Sequence, residues 1–336
     1  MSTAEANAAA KQEWWRWERE CARCLLCPHA CLIPPGGKGR CGVRVHTPGT
    51  GLKPLNYGLV SSIAVDPVEK KPLYHWKPGT CILSLGSVGC SMYCPFCQNW
   101  QIAEWAPSIP LQKLEPDMAA KLAVQEGLSS VAFTYNEPLT WFEYLLDACR
   151  FLAGDHISAA LVSNGMINPR PLMELVPLLS AANIDLKAFS PETYRFLGGE
   201  IHTVKNTIKT LLESGVHVEV TFLLVPGIND EPDVFGKMVA WLASLDPSPV
   251  LHISRYFPNR DWKMPATPME RIREYEAIAK ERLPWVYTGN TDEESVTRCL
   301  QCGGILIRRR RYKVLEINLD EDGRCVFCTS QSPIIL

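Results

Sequence analysis

Three cysteines, Cys90, Cys94 and Cys97, follow one another in the stretch GCSMYCPFCQNW at residues 89–100. Their spacing, C-x3-C-x2-C, lies on a short loop with glycine, which can wrap closely around an inorganic centre. Thiolates bind both zinc and iron–sulfur clusters, and either centre ordinarily takes four protein ligands. This cysteine loop therefore predicts a metal centre whose fourth position the loop itself does not fill. The alternatives are a zinc site with a distant fourth ligand and a chance cluster of cysteines.

A second group of cysteines, the C-terminal quartet, lies near the carboxyl end of the chain. Cys299-x2-Cys302 and Cys325-x2-Cys328 are separated by 22 residues. Two such knuckles with a hairpin-length spacer predict a tetrahedral four-thiolate site. Zinc is the first interpretation and a rubredoxin-like iron the second. Because a closed set of four ligands leaves no open position, we expect a structural role.

A third group, the N-terminal quartet, consists of Cys24, Cys27, Cys31 and Cys41, with Cys21 as an additional cysteine. The glycine-rich stretch GGKGRC allows the chain to return to the first three cysteines. The spacing leaves two interpretations open, a zinc site that braces the domain and an auxiliary iron–sulfur cluster that relays electrons or binds substrate.

The composition indicates which compartment and which partners to expect. The amino terminus lacks the apolar core of a signal peptide, so fourteen cysteines favour metal binding in a reducing cytoplasm over disulfides. A formal net charge of −2 gives no general attraction to nucleic acid or acidic membranes. No apolar run approaches the ~20 residues of a membrane span. We interpret the basic run at residues 308–311 as a solvated face. The alternative is a site of local contact with an anion or a partner.

The middle of the chain alternates short apolar runs with longer helical patterns. The runs that predict strands are CILSLG, VAFTYN, SAALVSNG, AANIDLKAF, VEVTFLLVPG, VLHISRYFP and PWVYTGN. The intervening segments that predict helices are KLAVQEG, PLTWFEYLLDACRFLA, PLMELVPLLS, VKNTIKTLLESG and VFGKMVAWLASL. Such repetition predicts an α/β fold, a full or partial parallel β/α barrel.

We expect three regions. Residues 1–80 form an N-terminal helix, anchored by Trp14, Trp15 and Trp17, and a cysteine-rich metal-binding region. Residues 81–292 form the barrel, and residues 293–336 form a four-cysteine tail that is similar to a rubredoxin or a zinc ribbon.

Polar side chains stand where the predicted strands end. In parallel β/α barrels the carboxyl ends of the strands carry the functional residues, although such residues also cap helices. The residues in these positions are Asn136, Glu137, Ser163, Asn164, Asp185, Lys187, His252 and Arg255. Asp185 and Lys187 are two residues apart on a strand, so their side chains point to the same face.

The C-x3-C-x2-C spacing, with Phe96 before the last cysteine, resembles the signature of radical S-adenosylmethionine (SAM) enzymes. The resemblance covers about residues 20 to 330 and is strongest to the activases of glycyl-radical enzymes. More narrowly, the chain resembles the AmmeMemoRadiSam system radical SAM proteins. The matching stretches are CLLCPHACLIPPGGKGRCGVR, DPVEKKPLYHWKPGT, GCSMYCPFCQNWQIA, FTYNEP, SNG, IDLKAF, VPGIND and LHISRYFP.

The resemblance implies that Cys90, Cys94 and Cys97 hold a [4Fe–4S] cluster. SAM then binds the open iron and is cleaved reductively to a 5′-deoxyadenosyl radical. The resemblance also implies roles for residues near SAM: Phe96, Val225 and His252 beside the adenine, Asn99 near the cluster, Asn136 and Glu137 at the methionine amino group, Asn164 at the ribose or carboxylate, and Asp185 and Lys187 near SAM and the substrate.

The function implied is hydrogen abstraction from an unidentified protein or small-molecule substrate, with electrons from a donor such as flavodoxin or ferredoxin. One alternative is a glycyl-radical enzyme activase, whose substrate is a backbone glycine of a partner protein. The non-enzymatic alternative is an inactive metal-binding scaffold for a partner or RNA.

Overall fold

The computed structural model describes residues 14–336. The amino-terminal part is built from short antiparallel strands: β1 (Trp15–Glu18), β2 (Cys21–Cys24), β3 (Leu32–Ile33), β4 (Arg44–Thr47) and β5 (Gly51–Pro54). The first three form one sheet, and β4 pairs with β5. Cysteines of the N-terminal quartet lie on β2 and on the loops between these strands.

The prediction of an N-terminal helix is wrong for the described part of that segment. Trp15–Glu18 pairs with Cys21–Cys24 along its whole length, so the backbone groups are satisfied by a neighbouring strand instead of by a helix. Trp15 is buried while Trp17 is exposed, which fits a strand with two unlike faces. Residues 1–13, which the same prediction covers, lie outside the described residues.

Ten strands follow: β6 (Leu59–Val60), β7 (Ser62–Pro67), β8 (Cys81–Gly86), β9 (Gln112–Lys113), β10 (Ser130–Phe133), β11 (Ser158–Ser163), β12 (Ala181–Asp185), β13 (His217–Leu224), β14 (Val250–Arg255) and β15 (Val286–Gly289). Strands β6 and β9 pair with each other. The other eight form one sheet in the order β15-β14-β13-β12-β11-β10-β8-β7, parallel except for β7. Within residues 14–336 the edge strands β7 and β15 do not pair, so the predicted barrel is present in its partial, open form. All seven predicted strands are confirmed.

The crossovers are helical. The helices are α1 (Trp100–Ala103), α2 (Pro116–Gln125), α3 (Phe142–Gly154), α4 (Pro169–Leu175), α5 (Pro191–Phe196), α6 (Ile201–Glu213), α7 (Pro232–Ala243) and α8 (Met269–Lys280). Three 3₁₀ turns lie at Val68–Lys70, Pro138–Trp141 and Val176–Leu178. In α6, Val204, Ile208 and Leu211 share a face and are fully buried, which is the helical periodicity that the sequence displays. No helix in residues 14–336 is long and apolar enough to cross a membrane.

The carboxyl-terminal tail is a three-stranded antiparallel sheet of β16 (Glu294–Arg298), β17 (Ile305–Arg310) and β18 (Lys313–Ile317). Arg309 is completely buried and donates hydrogen bonds to the Tyr74 carbonyl at 2.5 Å and to Thr297 at 3.0 Å. Arg308 and Arg311 pair with acidic residues of the same region. The basic run is therefore largely used within the protein and does not form a free cationic patch.

Candidate functional site

The carboxyl ends of the parallel strands open into a cavity of about 1130 Å³. Every predicted site residue near the barrel lies in its lining, with the exception of Val225. The lining contains Cys90, Cys94, Phe96, Cys97, Asn99, Asn136, Glu137, Ser163, Asn164, Asp185, Lys187, His252 and Arg255. Val225 follows β13 and is fully buried, and its backbone N–H donates a hydrogen bond to Asn229 at 2.7 Å.

The cysteine loop follows β8 and presents its three thiols to this cavity. Burial raises the pKa of all three thiols, that of Cys90 well above its ordinary value and that of Cys94 to about 11. Backbone N–H groups donate to two of the sulfurs, from Met92 to Cys90 at 3.5 Å and from Asn99 to Cys97. A buried thiolate requires a positive partner, so this donor set fits the cationic core of an iron–sulfur cluster. Within residues 14–336 no fourth cysteine lines the cavity.

Glu137 joins two of the predicted segments, TYNEP and SNG. Its carboxylate accepts hydrogen bonds from the Ser163 hydroxyl at 2.7 Å, the Asn164 N–H at 2.8 Å and the Leu139 N–H at 3.0 Å. Burial raises the pKa of Glu137 to about 7, and those hydrogen bonds oppose the rise. In turn, the Asn164 amide lies 3.7 Å from the sulfur of Cys90. Glu137 therefore fixes Asn164 beside the cysteine loop.

Asn136 and Asn99 hold the loops around the thiols. The Asn136 side chain accepts from the Ser87 N–H at 2.9 Å and donates to the Gly89 carbonyl at 3.1 Å. Asn99 donates to the carbonyl of Tyr135 at 2.7 Å. Tyr135 has a φ of 74°, a left-handed conformation that is uncommon outside glycine. The loop after β10 is thus held in a specific conformation against the cysteine loop.

Asp185 and Lys187 meet as their spacing predicts, with a distance of 3.0 Å between the Lys187 ammonium and an Asp185 oxygen. Burial by itself lowers the pKa of Lys187, but Asp185 and the neighbouring Cys94 outweigh it and raise the pKa. Lys187 therefore remains a cation beside the thiols.

The structure reveals a buried polar cluster that sequence reasoning missed. Glu219, in the middle of β13, is fully buried and accepts from His252 at 2.5 Å, His217 at 2.9 Å and the His75 backbone N–H at 2.7 Å. The ring of His75 contacts the hydroxyl of Tyr287 at 2.6 Å. The signal was available, because a glutamate inside an apolar strand requires buried partners. His252 lines the cavity with its ring held by this cluster.

Two further parts of the lining were also missed. Lys71 is buried and lies 2.7 Å from Asp66, which also accepts from the Tyr135 hydroxyl at 2.5 Å. Arg311 and Tyr312, from the hairpin between β17 and β18, lie at the cavity. Neither position could be assigned from the sequence, because both depend on how the amino-terminal segment and the tail pack against the sheet.

The C-terminal quartet is a preformed four-thiolate site. The sulfurs of Cys299 and Cys328 are 3.7 Å apart, as are those of Cys302 and Cys325, and all four lie within 4.8 Å of one another. A tetrahedral ion with metal–sulfur bonds of about 2.3 Å separates its ligands by about 3.8 Å. The geometry therefore confirms a four-cysteine site for a single ion, and zinc and iron fit it equally well.

Comparison with known proteins identifies the family. The Radical SAM superfamily model matches residues 85–237. The chain is 34% identical over 323 residues to an uncharacterized protein of Methanocaldococcus jannaschii, in an alignment that covers 94% of this chain and 96% of that protein. The structure superposes on a radical SAM methyltransferase from Sphaerobacter thermophilus with a TM-score of 0.50 and 17% identity, over 64% of this chain and 68% of that one. A domain of the pyruvate-formate lyase-activating enzyme from Bacteroides vulgatus gives a TM-score of 0.43 and 20% identity, over 48% of this chain and 98% of that one.

The chain therefore contains a domain of the Radical SAM superfamily, at residues 85–237. Such a domain implies a [4Fe–4S] cluster and SAM, and the three thiols at the cavity fit such a cluster.

Proposed function

We propose that this protein is a radical SAM enzyme that abstracts a hydrogen atom from a protein or small-molecule substrate. One observation supports it above the others: a single cavity is lined by the three thiols and by polar residues from the ends of β10, β11, β12 and β14. When bound to Cys90, Cys94 and Cys97, the cluster with SAM supplies reductive cleavage of the sulfonium to a 5′-deoxyadenosyl radical.

The surrounding residues would bind and orient the cofactor. Asn164 lies between Glu137 and Cys90, where its amide can bind a polar group close to the open iron. Lys187 supplies a positive charge for a carboxylate, and Asp185 positions the Lys187 ammonium. Phe96 and His252 offer ring faces in the same lining, which suits the adenine.

The volume of the cavity supports a substrate in addition to SAM. Sites for single small ligands commonly measure about 300–1,000 Å³, whereas this cavity measures about 1130 Å³. Arg311 and Tyr312 of the tail hairpin are exposed at the cavity, so we propose that they contact the substrate. A reductant such as flavodoxin or ferredoxin would supply the electron, and the reducing cytoplasm suits both the cluster and the free cysteines.

A glycyl-radical enzyme activase is the second candidate, because a cavity of this size also admits a peptide segment of a partner. In that case the site would take a hydrogen atom from a backbone glycine. An electron paramagnetic resonance (EPR) signal from a glycine radical on a co-incubated partner would select this candidate.

The test is SAM cleavage under anaerobic conditions. The reconstituted, reduced protein should release 5′-deoxyadenosine from SAM, measured by liquid chromatography and mass spectrometry. The Cys94→Ala variant should release none, whereas Cys81→Ala, which changes an exposed cysteine outside the cavity, should match the wild type. Equal release by the Cys94→Ala variant would contradict the assignment of SAM cleavage to the cluster on the cysteine loop, and no release by the wild type would favour the scaffold.

A further inference from the structure

The N-terminal quartet differs from the C-terminal quartet in the separation of its sulfurs. Within residues 14–336, the C-terminal quartet is the one group of three or more potential ligands whose ligand atoms all lie within 4.8 Å of one another. No three sulfurs of Cys24, Cys27, Cys31 and Cys41 meet that distance. Four thiolates on one ion must stand about 3.8 Å apart, whereas thiolates on separate irons of a cluster stand farther apart.

The four sulfurs nevertheless form one group. Each of the six pairs of sulfurs lies within electrostatic range, and the Cys24 N–H donates a hydrogen bond to the Cys31 carbonyl at 2.9 Å. Cys24 is buried, and the other three are half-buried. The spacing is therefore too wide for a single tetrahedral ion and still close enough for a shared polynuclear centre.

Backbone N–H groups point at every sulfur of the quartet. Leu26 donates to Cys24, His29 to Cys27 and Val43 to Cys41, each from two residues further along the chain. The Arg40 N–H lies 3.5 Å from the sulfur of Cys31. The cysteine loop has the same pattern, in which Met92 donates to Cys90 and Asn99 to Cys97. Such donors stabilise sulfur ligands of iron–sulfur clusters.

Arg44 supplies a buried positive charge at the quartet. Its side chain is 2% exposed, and its two terminal nitrogens donate to Glu143 at 2.5 and 2.8 Å. Its Nε has no hydrogen-bond partner among the described residues, although a buried N–H donor requires one. The guanidinium lies within electrostatic range of the sulfurs of both Cys24 and Cys41. An anionic centre on these cysteines would give the Arg44 Nε–H its missing partner.

The quartet packs directly against the cysteine loop. The ring of His29 lies 2.8 Å from the carbonyl of Ser91, the residue after Cys90. A Cβ at Gly89 would lie 2.9 Å from the Cys41 carbonyl, so the residue before Cys90 must be glycine for the two segments to touch.

We propose that Cys24, Cys27, Cys31 and Cys41 bind a second [4Fe–4S] cluster, fully ligated by the protein and adjacent to the cluster on Cys90, Cys94 and Cys97. Because four cysteines leave no open iron, this cluster does not bind SAM. This role rests on the function proposed above: the contact of the quartet with the cysteine loop suits one-electron transfer from a reduced flavodoxin or ferredoxin to the SAM-binding cluster. In that step the donor is oxidised by one electron and the SAM-binding cluster is reduced by one.

The experiment separates the two sites with a Cys90→Ala/Cys94→Ala/Cys97→Ala variant. After anaerobic reconstitution with iron and sulfide, the wild type should hold about eight acid-labile sulfides per chain and the variant about four. The variant should also give a [4Fe–4S]⁺ EPR signal that SAM does not change. The C-terminal quartet does not disturb this measurement, because a single ion carries no sulfide. A variant that holds less than about one sulfide per chain, with zinc in its place, would overturn the proposal.

The converse variant, Cys27→Ala/Cys31→Ala, should keep about four sulfides and a signal that responds to SAM. Cys21→Ala is its matched control, since Cys21 lies on the same strand as Cys24 outside the quartet, and this variant should keep about eight sulfides.

Arg44→Gln should shift the reduction potential of the SAM-insensitive cluster to more negative values, because an anionic centre loses a nearby cation. An unchanged potential in Arg44→Gln would remove Arg44 from the site.

Discussion

The C-terminal quartet and the cysteine loop place their thiols in different environments. In the quartet the sulfurs lie 3.7 Å apart in two pairs, and the Ser330 hydroxyl lies 3.1 Å from the sulfurs of Cys299 and Cys328. In the loop the three sulfurs are not all within 4.8 Å of one another, and burial raises their pKa values. The quartet is complete by itself, while the loop faces a cavity and leaves space for another molecule.

The number of cysteines and the separation of their sulfurs distinguish a closed metal site from an open one. A single ion with four ligands stabilises a small fold, whereas three ligands around a cavity leave a reactive position. We therefore expect changes in the loop to abolish activity and changes in the tail to affect mainly stability.

The largest effect should follow from Cys97→Ala. Loss of one of three cluster ligands should reduce SAM cleavage at least ~10³-fold, equivalent to about 4 kcal/mol. The measurement is the initial rate of 5′-deoxyadenosine release under anaerobic conditions. Cys302→Ala removes a thiol from the C-terminal quartet and serves as the matched control. Similar losses in both variants would break the distinction between the two sites.

A large loss of stability should follow from Arg309→Met. Arg309 and Glu69 are both fully buried, 3.5 Å apart, so removing the guanidinium leaves an uncompensated carboxylate in the interior. Breaking a buried pair in this way costs about 3–5 kcal/mol, and the free energy of unfolding in urea would measure it. Arg310→Met, at the exposed neighbouring position, should change that energy by less than about 0.5 kcal/mol. Equal stability of the two variants would show that the tail does not dock through Arg309.

Acidification should weaken the contact between the barrel and the tail. Burial lowers the pKa of His75 to about 3, so the folded protein keeps this ring neutral while the unfolded chain protonates it near pH 6.5. The unfolded state then binds more protons below about pH 6.5, and stability falls as the pH drops through this range.

Between about pH 7.5 and pH 5.5 this group should account for about 1 kcal/mol of the loss. His75→Gln should remove that part of the pH dependence, as measured by urea unfolding at both values. His202→Gln, at an exposed position, should retain it. A His75→Gln variant with the full pH dependence would show that another group is responsible.

The smallest effect on catalysis should come from Cys302→Ser. This variant should lose the ion of the C-terminal quartet but keep SAM cleavage within about threefold, a change of less than about 1 kcal/mol, because Arg309, through the Tyr74 carbonyl, and Tyr287 still attach the tail to the rest of the chain. Metal content per chain and the cleavage rate together measure this. A rate as low as that of Cys97→Ala would mean that the C-terminal ion shapes the cavity.

The sequence predicted most of the cavity because its signals are local. The cysteine loop is contiguous, and the residues at positions 136–137, 163–164, 185 and 187 stand at or just after strand ends, which a parallel sheet brings to one edge. His252 was also predicted at a strand end, but it lies inside β14 and reaches the cavity from there. Asp185 and Lys187 pair as predicted from their spacing, although β12 ends at Asp185 and Lys187 lies two residues beyond it.

What the sequence did not predict depends on contacts between distant segments. The partners of Glu219 come from β14, from β13 itself and from the segment around His75, so no local spacing identifies them. The strand at Trp15–Glu18 exists because β2 is available to pair with it, although its tryptophans also suit a helix. The position of Arg311 and Tyr312 at the cavity depends on the docking of the whole tail.

The central claim is that SAM binds the open iron of a cluster on the cysteine loop, and one EPR experiment tests it most directly. Spectra of the anaerobically reconstituted, reduced protein would be recorded with and without SAM, beside those of Cys90→Ala. The account predicts a [4Fe–4S]⁺ signal that changes when SAM is added and a Cys90→Ala spectrum in which that SAM-dependent change is absent. A wild-type signal that SAM leaves unchanged would contradict the account.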